Sequence, residues 1–433
     1  MTVGRSSPET APNATDDSRV LLPGAGRRLA VLLACLFVTM IGFGITLPVL
    51  PFYTERLALR AGATAGDVAM QVGLLTAVYP LMQLIFAPLW GRWSDSIGRR
   101  RLVLLGMAGT AAGQLSFALA GSLAALYGAR VIGGILSSAI FPAAAAYVAD
   151  STTERHRGRG MAWLGTATSL GVVVGPALGG LLARTGWELT SPSGVVLISG
   201  FAVPFLAAAA LAMAALLAAS VWLPESRSAT RAQHRPEVPA AMLPAMTQRG
   251  ALRTLLALAA AGQLGLALFE ATFALYAKRM WDFGPAQVGA AFMVCGLVMA
   301  LAQTGFAALL AQRVGEFPQI ATGFALVGAS LVLLPLSRGV AMVLLTIGLL
   351  AFGFALITPN LSAMIATLGG PASGTALGAQ GAANSVGQLG GIMLGAGLLA
   401  WNMEAPYVAA GASLLLTGLL LGWRTAAVHR AAR

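Results

Sequence analysis

The chain of 433 residues is 57% hydrophobic and only 10% charged, far below the roughly 25% charged that a water-soluble domain carries. An ordinary soluble fold is excluded, and the net charge of +12 does not indicate nucleic acid, because the basic residues follow alternate loops instead of one face. Cys35 and Cys295 lie far apart in apolar segments, so neither a disulfide framework nor a metal cluster is expected, and no cofactor is implied.

Residues 1–27 are polar and carry Pro8, Pro12 and Pro23, which predicts a disordered tail and not a cleavable signal peptide. Beyond it, twelve stretches approach the roughly 20 apolar residues that a helix needs to cross hydrocarbon. Their approximate limits are 28–51, 69–91, 102–121, 123–149, 159–183, 196–222, 252–276, 286–310, 318–336, 340–366, 375–400 and 405–423. The longest polar connection, "PESRSATRAQHRPEVPAAMLPAMTQRG", reads as a linker over 224–250 between a bundle at 28–223 and a second at 251–424, with a tail at 425–433. "SDSIGRRR" after the second helix has a degraded counterpart, "AQRVGEFP", after the eighth, so Gly98 and Gly315 lie half a chain apart. The expected fold is therefore an all-α integral membrane protein of twelve helices in two pseudo-symmetric six-helix bundles. Of the 27 basic residues, twenty fall in the tails and connections on the N-terminal side of the membrane and six on the other. By the positive-inside rule both termini are cytoplasmic, in a cell (inner) membrane whose anionic lipids meet the basic loops.

Charge is densest in "GRWSDSIGRRR". Gly91 allows close approach of another helix, Asp95 can offer its carboxylate to a helix N-terminus or an arginine, and Gly98 permits a tight turn that Arg99 and Arg100 hold at the membrane edge. A plain positive-inside anchor is the alternative. Arg130 in helix 4 stays protonated at any accessible pH, so it can supply a fixed charge, or else snorkel or clamp helix carbonyls. In "GVVVGPALGG" of helix 5, Gly171, Gly175 and Gly179 share one face beside Gly180, and Pro176 bends the helix; ordinary glycine-mediated packing would use the same face.

Glu270 in helix 7 is the other charge placed clearly inside a span, and a carboxyl group shielded from water can take up and release a proton as access changes sides. It could equally be a packing residue or a carboxylate for cationic substrates. Amides and aromatics are candidates to line a cavity: Tyr79, Gln83, Phe86, Gln263, Phe269, Phe273, Tyr276, Gln303 and Asn360, with Gln380, Asn384 and Gln388 on one face of helix 11. Large apolar walls with a few amides suit a small lipophilic or amphiphilic molecule better than a sugar.

Gly91, Asp95, Gly98, Arg99 and Arg100 together resemble the loop 2–3 signature of the major facilitator superfamily. The helix 5 stretch is similar to the antiporter signature of its drug:proton antiporters. "GFGITLPVLPFY", "GLLTAVYPLMQLIFAPLWG" and "ARVIGGILSSAIFPAAAAYVAD" resemble helices 1, 2 and 4 of tetracycline and quinolone exporters, and "GLALFEATFALYAKRM" their helix 7. The resemblance implies a cytoplasmic latch between the halves formed by Asp95 and Arg99 with Asp150, and a role for Arg130 in proton coupling. This chain departs from the pattern in two places: helix 1 has no acid, with Thr39 the nearest polar residue, and helix 10, "GFALITPNLSAM", has neither acid nor arginine. Glu270 is then the expected proton carrier, with Asp95 and Asp150 in reserve.

The function expected from the resemblance is proton-coupled efflux of hydrophobic or amphiphilic molecules by alternating access, as a monomer and without a bound nucleic acid. A lipid or glycolipid translocase on the same fold is the alternative, ahead of an uptake symporter or a non-transporting membrane sensor. No phosphate-binding Gly-x-x-x-x-Gly-Lys-Ser/Thr loop occurs, and His156, His234 and His429 lie in loops or tails, so an enzyme is not expected.

Overall fold

The computed structural model describes residues 25–152, 154–183, 188–190, 196–225, 246–303, 314–370 and 373–431. The first six helices are α1 (Ala25–Arg60), α2 (Ala65–Ile97), α3 (Arg99–Ala118), α4 (Leu123–Ser151), α5 (Glu154–Leu182) and α6 (Ala202–Trp222). The second six are α7 (Met246–Trp281), α8 (Pro285–Leu301), α9 (Glu316–Leu333, extended by a 3-10 turn Leu334–Leu336), α10 (Val340–Gly369), α11 (Ser373–Trp401) and α12 (Ala405–Ala431). Among the described residues, nine of these twelve are long and apolar enough to cross a bilayer unaided. The rest, α3, α8 and α11, are shorter or diluted with glycine and polar residues, and they cross as members of the bundle.

Helix ends follow breakers rather than the apolar limits. α1 continues past Pro48 and Pro51 to Arg60, just before Gly62 with φ 82°, so Glu55, Arg56 and Arg60 are helical and not in a loop. α2 starts at a capping box in which Thr64 and Asp67 each satisfy the other's backbone N–H. α4 is interrupted at Ser138–Ala139, where Pro142 cannot donate to the carbonyl four residues earlier. The sixth helix begins at Ala202 and not at 196. Val196–Ser199 instead pairs antiparallel with Glu188–Thr190 as a short hairpin, β2 on β1, the one departure from an all-α chain among the described residues. The eighth span is described only to residue 303, and the linker residues 226–245 lie outside the described residues.

The packing repeats with an offset of six. In the first half α1 lies on α5, α3 on α4 and α6, and α2 on α4; in the second, α7 lies on α11, α9 on α10 and α12, and α8 on α10. This is the pseudo-symmetry expected of two related bundles. Small residues set the spacing, since helices in lipid associate by close packing and not by the hydrophobic effect. A Cβ placed on Gly175 would lie 2.7 Å from Gly44 Cα and from the Ile41 carbonyl oxygen, and one on Gly179 would lie 2.7 Å from the Ile45 carbonyl oxygen. The glycine face of α5 is thus spent on α1.

Among the described residues the halves meet chiefly along α2 with α11 and α5 with α8, with α1 also touching α7 and α8, and the tightest approaches lie toward the end that carries the α1–α2 loop. There Gly73 abuts Ala396, and Gly180 abuts Gly289 and the Pro285 carbonyl. Toward the end that carries the chain termini the described parts of the same four helices are uncovered: Ile85, Leu89, Trp163, Leu170, Leu297, Leu301 and Val386 are all exposed. The two bundles form a V, closed at one end and open at the other.

Replacing Gly175 by Ala is expected to destabilise the protein by about 1–3 kcal/mol through overpacking against α1. Gly165, in the same helix with nothing near its Cβ position, should gain up to about 1 kcal/mol from the same change. Thermal unfolding of the detergent-solubilised pair checks both signs.

Candidate functional site

Just inside the closed end, α1, α2, α3, α4, α7 and α11 enclose two adjoining hollows that share Phe43, Thr46, Tyr79 and Arg130. The first lies within the first half, is bounded by Thr39, Thr110, Gln114, Phe117 and Ser137, and has a volume of about 30 Å³. The second bridges the halves, adds Thr76, Glu270, Gln388 and Ile392, and has a volume of about 20 Å³. Each has room for one or two waters.

Arg130 is 6% exposed. Its guanidinium carbon lies 5.7 Å from the Tyr79 ring centre and 5.2 Å from that of Phe117, so the two aromatic faces take the place of a counter-ion. Its buried Nε has no hydrogen-bond partner, nor has the side-chain Oε1 of Gln114. The Tyr79 hydroxyl shares a 2.9 Å hydrogen bond with Ser137 Oγ, which fixes the ring under the guanidinium. Glu270 faces Arg130 from the other half across the second hollow, yet no ion pair joins them. A cation and a carboxyl group are presented to the same space and left free for other partners.

Of the expected lining residues, Tyr79 and Gln388 face these hollows, as does Glu270, the expected proton carrier. Gln83, Gln263, Gln303 and Asn384 are partly exposed elsewhere on the interface helices. Six of the expected lining residues lie away from the hollows. Phe269 and Phe273 are fully buried, packed on each other and on Phe292, and Tyr276 is buried against Tyr407, because α7 turns that face into its own bundle. Asn360 is 6% exposed and donates to Gln319 Oε1 and the Leu356 carbonyl, so its amide is already satisfied inside the second half. Gln380 is similarly buried and donates to Ser362 Oγ at 3.0 Å. Phe86 is partly buried and packs against the core of the first half. Sequence reading missed Phe43, Thr46, Gln114 and Phe117; Phe43 and Thr46 fall on the α1 turn that faces α2 and α4, and Gln114 was the lone amide in α3.

At the open end, Gly98 has φ 103° and links α2 directly to α3, a conformation that favours glycine. Arg99 pairs with Asp150 at 3.2 Å and donates to Ser94 Oγ at 2.7 Å, and the Arg100 backbone N–H donates to Glu225. These partners all belong to the first half. The Asp95 side chain lies outside what is described. Gly91 is corrected too: a Cβ there would be 3.8 Å from Pro142, an ordinary contact, so close packing does not demand glycine in this state.

The closed end is held by a pair the sequence did not suggest. Lys278 of α7 donates to Glu55 of α1 at 2.7 Å across the halves, and its ammonium lies 5.8 Å from the Phe52 ring centre. Next to it Arg279 reaches the Ala65 carbonyl and Met403 sulfur.

Two six-helix halves rocking about a polar hollow are the architecture of secondary transporters. Residues 32–338 match the family model described as Major Facilitator Superfamily, and the chain belongs to that family. It is 27% identical over 406 residues to multidrug resistance protein 2 of Bacillus subtilis (strain 168), covering 91% of this chain and 94% of that one. It is 25% identical over 389 residues to the quinolone resistance protein NorA of Staphylococcus aureus (strain MSSA476), covering 90% and 94%. Among solved structures, a bacterial homologue of the human lysosomal transporter Spinster, inward-facing and unoccupied, superposes with a TM-score of 0.72 at 15% identity, covering 94% of this chain and 96% of that one. The human organic anion transporter MFSD10 gives a TM-score of 0.65 at 24% identity, covering 92% and 99%. These two likenesses concern the fold. The chain is a multi-pass membrane protein.

Glu55→Gln removes the charge partner at the closed end. Partly exposed pairs are worth about 1 kcal/mol, so the open fraction at that end should rise about fivefold. Spin labels at the exposed Ala61 and Arg338, one on each half, should report it as growth of the long-distance population.

Proposed function

We propose that this transporter exports small lipophilic or amphiphilic molecules in exchange for protons, working as a monomer with both termini in the cytoplasm. The observation that carries the reading is the second hollow, where Glu270 and Arg130 face each other from opposite halves without pairing. Kinship with proteins named for multidrug and quinolone resistance supports the substrate class. The distribution of basic residues supports the orientation, which makes the present V an inward-facing state.

In this state the substrate enters from the cytoplasm between the uncovered parts of α2, α5, α8 and α11. Glu270 then gives up its proton to water in the hollow, and its carboxylate meets either a cationic group of the substrate or the fixed charge of Arg130. Rocking of the halves opens the other end, the substrate leaves, and Glu270 is protonated again. Coupling follows if the empty, deprotonated form rocks poorly, since a Glu270 carboxylate drawn to Arg130 ties the two halves together. Nothing in the cycle needs covalent chemistry.

Adding a lipophilic cation such as ethidium to energised inside-out vesicles should release the stored pH gradient at least tenfold faster with the intact protein than with Glu270→Gln. Release that is equal in the two would remove Glu270 from coupling, and no release with any of a panel of lipophilic compounds would sink the export reading. Arg130→Lys keeps the charge but cannot lie flat between Tyr79 and Phe117; transport is expected to fall about tenfold in the same assay, as stacked arginine is not replaced by lysine.

A further inference from the structure

A hollow of about 460 Å³ lies at the open end of the first half, remote from the transport site, lined by Arg27, Arg28 and Arg100 with Val221, Trp222, Leu223, Pro224 and Glu225. Three guanidinium groups face one carboxylate. That carboxylate is already engaged: Glu225 accepts the Arg100 backbone N–H at 3.1 Å and sits against Gly98. The arginines are held in place by separate means. Arg27 is stacked on Trp222, its guanidinium carbon 4.7 Å from the ring centre, and Arg100 Nη2 donates to the Ser220 carbonyl at 2.6 Å. Arg100 Nε is buried with no partner. The Tyr147 hydroxyl donates to the Pro224 carbonyl and ties down the chain on the far wall. The hollow is therefore a preformed, net-positive cup with a donor to spare.

Its apolar rim continues into the membrane. Met213, Leu217 and Val221 are spaced at four along α6 and are 47%, 59% and 73% exposed, a stripe that ends at the cup. Trp222 at the junction is the residue type that settles at a bilayer surface.

We infer that this cup binds the phosphate headgroup of an anionic glycerophospholipid, with an acyl chain lying along Met213, Leu217 and Val221. A free phosphate would satisfy the arginines but make no use of the stripe, whereas a lipid uses both. Seated there, the headgroup lies against the residues that brace the α2–α3 turn, Arg100 and Glu225. The inference needs only that the chain spans a bilayer.

The test is binding of phosphatidylglycerol to the full-length protein, stripped of lipid in neutral detergent and titrated under native mass spectrometry. Each basic residue near an anionic lipid is worth about 1 kcal/mol, so Arg27→Gln/Arg28→Gln should weaken the tightest phosphatidylglycerol about 30-fold and leave phosphatidylcholine binding unchanged. Arg253→Gln, an exposed arginine of the second half outside the cup, should change it less than twofold. As a second readout in the unaltered cup, phosphatidylglycerol with brominated acyl chains should quench a tryptophan component that Trp222→Phe removes. The assignment is overturned if the double variant binds as tightly as the parent, if Arg253→Gln weakens binding equally, or if millimolar inorganic phosphate displaces the lipid. It is likewise overturned if the quenching survives Trp222→Phe.

Discussion

The whole arrangement depends on backbone-to-backbone contact along α5. Its glycine face lies on α1 so closely that no side chain fits, and its neighbouring Gly180 and the Pro176 carbonyl meet Gly289 of α8 in the other half. One helix thus forms both a permanent joint inside its bundle and a separable joint between bundles. Lipid offers no hydrophobic drive for either, so both rest on dispersion at short range, which falls away within an ångström of separation. Such a joint has two states, packed or apart, and little in between. In the proposed cycle that property lets two rigid halves rock instead of bending, with the hollows just inside the packed end, where α1 and α7 converge.

Placing Arg130 and Glu270 in this setting without pairing them has an energetic meaning. A direct ion pair in a low-dielectric site would hold the halves together and would be hard to separate on each cycle. Stacking between Tyr79 and Phe117 instead stabilises the guanidinium within its own half, by about 0.5–2 kcal/mol per ring. The charge therefore travels with the first half when it moves. The cross-half ion pair of Lys278 with Glu55 is instead at the water boundary, where separating it costs little because solvent replaces the partner.

Much of this was legible in the sequence. Twelve apolar spans, two halves, the α2–α3 turn at Gly98 and the glycine face of α5 all follow from composition and spacing, because they are properties of single helices. What a side chain faces depends on how its helix is rotated against its neighbours, and there sequence reading failed. Phe269, Phe273 and Tyr276 look like cavity aromatics but α7 turns them inward, while Phe43 and Phe117 line the hollows without any local signal. Glu55 escaped notice for a different reason: the apolar stretch ends near residue 51, yet the helix accommodates two prolines and runs on to Arg60, just before Gly62. The β1–β2 hairpin was hidden by the apolar content of Val196–Ser199, which reads equally well as the start of a helix.

The same four helices also set the balance between the two end states. In the present V, the stretch of α5 around Trp163 and Leu170 and that of α11 around Val386 are uncovered. Fully burying an apolar side chain of that size from water is worth about 1.5–3 kcal/mol, so the parts of these residues that face the water-filled cleft favour closing the open end. Closing it requires parting Gly73 from Ala396 and Gly180 from Gly289, and breaking Lys278 from Glu55. Opposite ends of α2, α5, α8 and α11 compete for the same partner half and cannot both be satisfied. Because gains at one end are offset by losses at the other, in the cycle we propose a small event in the hollow, such as one proton leaving or one charged group arriving, is large enough to decide which end is closed.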